Sequence, residues 1–278
     1  MLKDKRGLLS VEILIFVVVI AAAGLIGWKV LGNKKHTSDN VSQSGQTSSN
    51  TSNSTVSWSF NGSEWKASGT PPTCSEPLVS QTPIDITKAT AILYPGQTRG
   101  GNYKPHGGFL FGSGNNTQTV KIPLDSVLYK GSRYIEQGET QYFFVFIAPC
   151  GIMYRFDHLN TLTSEFQAFA DKLPAAKEND SSTTNYEPTP EVKAGDTVAT
   201  VVGFTKTGNA SLDFGVYDLR QKNAVSQTSA WQKAHSVDNE FGAYGICWLD
   251  DLPTKDASVA KSLPGGDATN GKTSDYCK

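Results

Sequence analysis

Three residues of the sequence have side chains suited to acid–base or metal chemistry: His106, His158 and Asp213. Histidine titrates near neutral pH, and its imidazole is the commonest metal ligand in proteins. A carboxylate can complete either a zinc site or a proton-transfer pair. The only other histidine after residue 57 is His235. We therefore treat His106, His158 and Asp213 as the candidate functional residues.

The segment that carries Asp213 has two chemically different faces. Leu212, Phe214 and Val216 alternate along it, so as a strand it should turn them toward the core. The opposite face then carries Ser211, Asp213, Gly215 and Tyr217. Asp213 is thereby predicted to point into a groove.

Each candidate also has a structural interpretation. His106 could be an exposed loop residue, and His158 could hydrogen-bond a neighbouring carbonyl at a strand end. Asp213 could form a buried ion pair with Arg155 or Arg220. The sequence leaves these alternatives open.

Composition narrows the class of protein. The chain has 278 residues, is 38% hydrophobic and carries a formal net charge of -1. A nucleic-acid-binding protein usually shows a basic excess, so we expect no nucleic-acid partner. The composition also excludes a polytopic transporter and a chain disordered throughout. No Gly-x-Ser-x-Gly elbow, phosphate loop or His-Glu-x-x-His helix is present.

The elements that would position these residues are mostly strands. Short segments rich in β-branched or aromatic residues are bounded by Gly, Pro, Asn or Asp. The predicted strands are residues 57–60, 89–94, 119–122, 142–148, 152–156 and 197–204. In residues 152–156, Ile152, Tyr154 and Phe156 should share one face.

One helix is predicted between Leu162 and Leu173. Leu162, Phe166, Phe169 and Leu173 recur at helical spacing, and Pro174 follows. A Thr or Ser at 163 or 164 would cap its start. Residues 177–190 are polar and contain proline, which predicts a loop.

The order of the motifs resembles that of the LytM-type (lysostaphin-like) zinc endopeptidases, which cut peptidoglycan cross-bridges. That family carries His-x-Gly-x-Asp, a strand ending Tyr-x-His-Leu, a Gly-Asp turn and a His-Leu-His-Phe strand. The corresponding segments here are 106–110, 154–159, 195–196 and 211–216. The resemblance implies a mainly β fold with an antiparallel β-sheet groove, of the duplicated hybrid motif type.

The resemblance also implies a degenerate zinc site. His106 matches the first metal ligand and Asp213 stands where the last histidine ligand belongs, but Leu110 replaces the family's aspartate. His158 matches a proton-handling histidine, although three residues separate it from Tyr154 where the family's motif has one. A catalytic zinc needs three protein ligands and an open position, so this set is incomplete.

Two functions follow from this pattern. The first is a catalytically inactive domain without a cofactor, which binds peptidoglycan or an envelope protein. The second is an active zinc-dependent cell-wall endopeptidase that uses His106, Asp213 and His158, with His158 catalytic. The residues expected to line the groove are Tyr154, Arg155, Ser211 and Tyr217.

The N-terminal segment predicts a transmembrane helix over residues 8–32. Lys3, Lys5 and Arg6 precede an apolar run that contains no charge from Ile13 to Trp28. A helix over the whole run would be about 36 Å long, which exceeds the roughly 30 Å hydrocarbon core of a bilayer. We expect a single pass through a bacterial cell membrane, with the N-terminus inside. A cleavable secretory signal is the competing interpretation.

Glu12 within this run resembles the glutamate of type IV prepilin leaders. A basic stretch ends at Gly7, Leu8 follows, and Glu12 is the fifth residue after the glycine. In that family a peptidase cuts after the glycine, so residues 1–7 would be a leader. A minor pilin or pilus-associated subunit, with pilus subunits as partners, is therefore a further alternative. The remaining alternative is a plain membrane anchor in which Glu12 lies near the membrane–water interface.

The remaining boundaries follow from composition. Residues 33–57 consist mostly of Ser, Thr, Asn and Gln, which predicts a flexible linker. Residues 58–223 would form the β domain, and residues 224–278 an extension packed on it.

Four cysteines, an even number, predict two disulfides in an exported domain. Three pairings are possible. We favour Cys247 with Cys277, closing the C-terminal segment, and Cys74 with Cys150. Buried free thiols are the alternative.

Overall fold

The computed structural model describes residues 56–235 and 240–278. The predicted leader, the predicted membrane helix and nearly all of the predicted linker lie outside these residues. Within the described ranges no helix is long and apolar enough to cross a membrane.

The described residues are mainly β, as the sequence predicts. The strands are β1 (Trp58–Phe60), β2 (Trp65–Ala67), β3 (Ala89–Leu93), β4 (Gln97–Arg99), β5 (Asn102–Lys104), β6 (Gly107–Phe111), β7 (Thr117–Lys121), β8 (Ser126–Glu136), β9 (Glu139–Ile147), β10 (Ile152–Leu162), β11 (Thr184–Asn185), β12 (Glu191–Val192), β13 (Thr197–Val202) and β14 (Ser211–Asp218). The helices are α1 (Ser164–Ala170), α2 (Ser229–Ala234) and α3 (Thr254–Ser262), with short 3-10 turns at Ile86–Lys88 and Val225–Gln227.

Ten of these strands form one antiparallel sheet. Its main path runs β11-β8-β9-β10-β14-β6-β3; β12 also pairs with β8, and β13 bridges β10 and β7. Two separate hairpins, β1-β2 and β4-β5, complete the β structure. The antiparallel class is therefore confirmed.

Strand β10 is the central element because it changes partner halfway along. Its first half, from Ile152 to Asp157, pairs with β14, and its second half, from Leu159, pairs with β13. At the change, Phe156 lies opposite Phe144 and Leu159 opposite Tyr142, so β10 holds one residue more than β9. This is the arrangement of a β-bulge, which bends a strand and redirects its side chains.

The core lies on both faces of the sheet. Ile152, Tyr154 and Phe156 face the larger hydrophobic cluster, as predicted from their alternation. The predicted inward face of β14, Leu212 with Phe214 and Val216, belongs to the same cluster. The opposite face carries a second cluster that includes Met153, Tyr217, Trp58 and Trp65.

The predicted helix is present but shorter than its apolar spacing suggests. Thr163 is the N-cap residue of α1, but its side chain accepts no capping hydrogen bond; its hydroxyl donates to the carbonyl of Thr197, 2.9 Å away. The predicted loop at 177–190 contains β11, which the sequence analysis missed. Thr184 and Asn185 pair with the edge of β8. β11 therefore forms through main-chain pairing, and no pattern of side chains marks it in the sequence.

Both predicted disulfides are present: Cys74–Cys150 and Cys247–Cys277. Residues after 223 contribute to the main core through Trp248, whose ring lies 5.0 Å from that of Phe109 and 5.1 Å from that of Phe214.

Candidate functional site

The site is built around a hydrogen bond between His106 and Asp213. His106 immediately precedes β6, and Asp213 on β14 lies opposite Gly108 of β6. The Nε2 atom of His106 is 2.9 Å from Oδ2 of Asp213, and both side chains are largely buried. The interpretation of His106 as an exposed loop residue is therefore wrong, since only 6% of the residue is accessible.

Glycines allow the two strands to approach this closely. A Cβ atom on Gly215 would lie 2.8 Å from Cβ of His106. A Cβ on Gly108 would lie 2.5 Å from the carbonyl oxygen of Leu212 and 3.3 Å from Oδ1 of Asp213. Real Cβ atoms essentially never come within 2.5 or 2.8 Å of another heavy atom. The position of the His106–Asp213 pair therefore depends on glycine at both 108 and 215.

The bulge in β10 adds His158 to the same cluster. His158 has a φ angle of 60°, a region that residues other than glycine rarely occupy. Its Nε2 atom lies 3.8 Å from Oδ2 of Asp213, and its Nδ1 atom lies 3.4 Å from the hydroxyl of Tyr134 and 3.9 Å from Oε2 of Glu136. The structure thus brings together His106, His158 and Asp213, the three candidate functional residues.

A second layer of polar side chains supports His158. Tyr134 donates a 2.7 Å hydrogen bond to Oδ1 of Asp157, which also accepts from the backbone N–H of His158 at 2.9 Å. Arg155 donates to the other oxygen of Asp157 at 2.7 Å, and its guanidinium lies 4.0 Å from the ring centre of Phe143. These bonds fix the bulged segment on both sides.

The predicted alternative of a buried Asp213–arginine pair is wrong. Arg155 bonds to Asp157, and Arg220 makes a two-bond pair with Asp218 at 2.7 and 2.9 Å. The interpretation in which His158 bonds a neighbouring carbonyl also fails, because its ring faces Tyr134 and two carboxylates.

The four residues that the sequence places in a groove lie in different parts of the structure. Tyr154 is buried in the main cluster, where its hydroxyl is 2.5 Å from Oγ of Ser126, and Tyr217 is buried on the other face. Ser211 is also buried, and the side chain of Arg155 is only 12% exposed. The accessible polar atoms of this region belong instead to His158, Asp213 and Glu136, whose side chains are 19%, 15% and 36% exposed.

The arrangement does not fit the zinc site that the LytM resemblance implies. Leu110 occupies the position of the missing aspartate and lies against the C-terminal segment: a Cβ on Gly266 would be 2.6 Å from its Cδ1 atom. The other two positions hydrogen-bond to each other directly. Across residues 56–235 and 240–278, no group of three or more His, Cys, Asp or Glu side chains is placed to hold a metal ion.

Burial sets the protonation of the pair. It lowers the pKa of His106 to about 4, helped by the nearby charge of Arg155 and opposed by Asp213. Burial alone would raise the pKa of Asp213, but His106, His158 and Arg155 together hold that pKa well below its usual range. At neutral pH the pair is therefore a neutral imidazole that donates from Nε2 to a carboxylate. Burial and the charge of Asp157 raise the pKa of Tyr134, so its hydroxyl stays protonated and donates.

Sequence reasoning missed four residues of the site: Tyr134, Glu136, Asp157 and Arg99. Asp157 could have been suspected, because it precedes His158 in the sequence. Tyr134 and Glu136 lie on β8, a strand that carries no clear apolar alternation. Arg99 lies on the β4-β5 hairpin and reaches the site through main-chain carbonyls, for which the sequence carries no signal.

Comparison of this chain with protein families, with curated proteins and with solved structures found no match in any of the three.

Proposed function

We propose that the domain is a non-hydrolytic binding module of the bacterial cell envelope, with a LytM-like groove that no longer holds zinc. An N-terminal membrane helix and a flexible linker would tether it outside the cell. The peptide part of peptidoglycan is the proposed ligand, and an envelope protein that presents a similar peptide is the alternative.

One observation carries this proposal: the His106–Asp213 hydrogen bond of 2.9 Å, in a chain that has Leu110 where the resemblance calls for a third metal ligand. In a metal site the ligand atoms direct their lone pairs at the ion, whereas here Nε2 of His106 faces a carboxylate. A buried pair of this kind orders the groove without providing a nucleophile. The exposed edges of His158, Asp213 and Glu136 supply hydrogen-bonding groups for a peptide.

The test is a binding assay on the full chain, purified in detergent, with isolated peptidoglycan sacculi. We expect the protein to co-sediment with sacculi, to release no soluble muropeptides, and to bind zinc no more tightly than micromolar. A Glu136→Ala variant should bind less, whereas Glu165→Ala, an exposed change on α1, should bind normally. Stoichiometric, tightly bound zinc together with muropeptide release would overturn the proposal.

A second candidate, a hydrolase with a rearranged site, is favoured by the geometry of His158. Strained φ angles in residues other than glycine concentrate at active sites, and His158 combines such an angle with a ring that is 19% exposed and lies beside Asp213. In this case His158→Ala abolishes muropeptide release while the protein stays folded by circular dichroism. An unchanged rate would eliminate the candidate.

A further inference from the structure

The C-terminal segment Asn270–Cys277, which we term the strap, runs along the β4-β5 hairpin. The backbone N–H of Asp275 donates to the carbonyl of Gly96 at 3.0 Å, and the hydroxyl of Ser274 donates to the carbonyl of Pro95 at 2.5 Å. Gly96 allows this approach, since a Cβ there would lie 3.2 Å from the backbone nitrogen of Asp275.

Side chains continue the contact along the hairpin. The amide of Gln97 donates to the carbonyls of Thr273, at 2.6 Å, and Gly271, at 3.1 Å. Asn270 donates to the carbonyl of Thr98 at 2.9 Å. Gln97 is 3% exposed, so its amide could not exchange these bonds for water without opening the contact.

Arg99 connects the hairpin to the site. Its Nη1 atom donates to the carbonyl of Tyr94 at 2.8 Å, and its Nη2 atom donates to the carbonyl of His106 at 3.0 Å. Two charge-assisted bonds from one planar group hold both carbonyls in a fixed relation. The backbone of His106 is thus held from the hairpin side while its imidazole bonds Asp213.

The strap is covalently closed at its far end. Cys277 forms a disulfide with Cys247, which precedes the fully buried Trp248 in the chain. The backbone N–H of Cys277 also donates to Oγ of Ser274 at 2.9 Å, so the disulfide and the strap–hairpin contact are three residues apart.

We propose that Arg99 is a positioning residue for His106, and that the Cys247–Cys277 disulfide holds the strap, and through it the hairpin, in the arrangement that the site requires. Reduction of this disulfide by an external dithiol, which transfers two electrons and two protons to give the Cys247 and Cys277 thiols and is itself oxidised to a disulfide, releases the strap, loosens the hairpin and lowers ligand binding. The binding half of this inference rests on the proposed function, whereas the coupling between strap and hairpin does not.

Hydrogen exchange on the full chain in detergent tests the coupling. In a Cys247→Ser/Cys277→Ser variant we expect amides of residues 96–106 to exchange about tenfold faster, the factor that one ordinary hydrogen bond is worth. The matched control is Cys74→Ser/Cys150→Ser, which removes the other disulfide. In this control, exchange at residues 96–106 should not increase more than exchange elsewhere in the protein. Unchanged exchange at 96–106, or an equal change in both variants, would overturn the coupling.

If the first variant does not fold, Asn270→Ala in the oxidised protein replaces it. This change removes the side-chain bonds from Asn270 to the carbonyl of Thr98, on the hairpin, and to Oδ1 of Asp267, and it leaves the disulfide intact. We therefore expect the same segment to exchange faster by a smaller factor. Unchanged exchange at residues 96–106 in this variant would contradict the coupling between the strap and the hairpin.

Arg99 is tested by Arg99→Gln and Arg99→Lys. Arg99→Gln should weaken sacculus binding about tenfold and shift the imidazole NMR signals of His106, and Arg99→Lys, which keeps a cationic donor, should restore part of both effects. An unmoved His106 signal in Arg99→Gln would refute the positioning role. If exchange and NMR respond as expected while the wild-type protein binds no sacculi, the proposed function fails and the coupling stands.

Discussion

At the scale of single residues, the site shows how burial determines charge. His106 and Asp213 form a buried pair in which the imidazole is neutral, because burial and Arg155 lower its pKa to about 4. An unfolded chain would protonate the same imidazole near its ordinary pKa of 6.5. Between these two values the unfolded state binds more protons than the folded state, so folding stability depends on pH there.

We predict that the free energy of unfolding falls as pH decreases from 6.5 toward 4, and that His106→Gln removes part of this slope. The sign follows from the lowered pKa: a proton taken up on unfolding favours the unfolded state more as the solution becomes more acidic. Urea unfolding at a series of pH values measures the slope. If the free energy of unfolding depended on pH equally in His106→Gln and in the wild type, His106 would not be the group that takes up the proton on unfolding. His235→Gln is the control, because His235 stacks on Tyr103 away from this pair.

Asp213→Ala should destabilise the protein by about 1–3 kcal/mol, the cost of leaving a buried donor without its acceptor. Asp180→Ala, on a surface loop, should change stability by less than about 0.5 kcal/mol. Urea unfolding at pH 7 compares the two variants. Equal effects would mean that the His106–Asp213 bond contributes little.

His158→Gly should be more stable than His158→Ala by about 1 kcal/mol, because alanine at a φ of 60° retains the Cβ clash that glycine lacks. Both variants lack the imidazole, so the comparison isolates backbone strain. Thermal unfolding of the two variants measures the difference. A more stable alanine variant would show that the bulge relaxes without the ring.

At the scale of elements, the β-bulge in β10 places the candidate residues. Regular alternation would turn Asp157 and His158 to opposite faces of the sheet, yet both contact Tyr134. The extra residue opposite β9 removes this conflict and lets β10 leave β14 for β13.

The close approach of β14 to His106 predicts a strong effect of Gly215→Ala. The new Cβ would meet Cβ of His106 at 2.8 Å, so the strands must separate, at a cost of about 1–3 kcal/mol. Gly69→Ala is the matched control, because its Cβ would meet only Val56 at 4.0 Å. Chemical denaturation of both variants tests this. If Gly215→Ala were as stable as Gly69→Ala, the close approach would not be required.

Much at the element scale could be predicted from sequence. Alternating apolar residues located the inner faces of β10 and β14, but β10 runs to Leu162, six residues beyond the predicted end at 156. The sequence analysis missed β11, and with it the pairing of Thr184 and Asn185, because two polar residues on a sheet edge carry no apolar pattern. It also missed Tyr134 and Glu136, since their roles depend on β8 lying next but one to β10, across β9.

At the scale of the whole molecule, two disulfides connect distant parts of the chain. Cys74–Cys150 joins residues 76 positions apart, and Cys247–Cys277 joins residues 30 apart. Cross-links over long separations restrict the unfolded chain most.

Removing Cys74–Cys150 by a double serine substitution should lower the free energy of unfolding by about 4 kcal/mol, on the loop-entropy account. The shorter Cys247–Cys277 loop should cost about 1 kcal/mol less by the same relation. Urea denaturation of the two double variants compares them. The reverse order would indicate that the strap contacts, rather than loop entropy, dominate the effect of the C-terminal disulfide.

The sequence by itself determined the β class and the faces of β10 and β14, since both follow from local spacing. It favoured the observed cysteine pairing among three, and it singled out the three candidate residues through their motifs. Only the tertiary structure decided that His106 bonds Asp213, that Arg155 bonds Asp157, and that Leu110 packs against the C-terminal segment. These outcomes depend on which strands become neighbours and on how closely glycine lets them approach. Distances between residues far apart in the chain are set by packing, which a single sequence does not display.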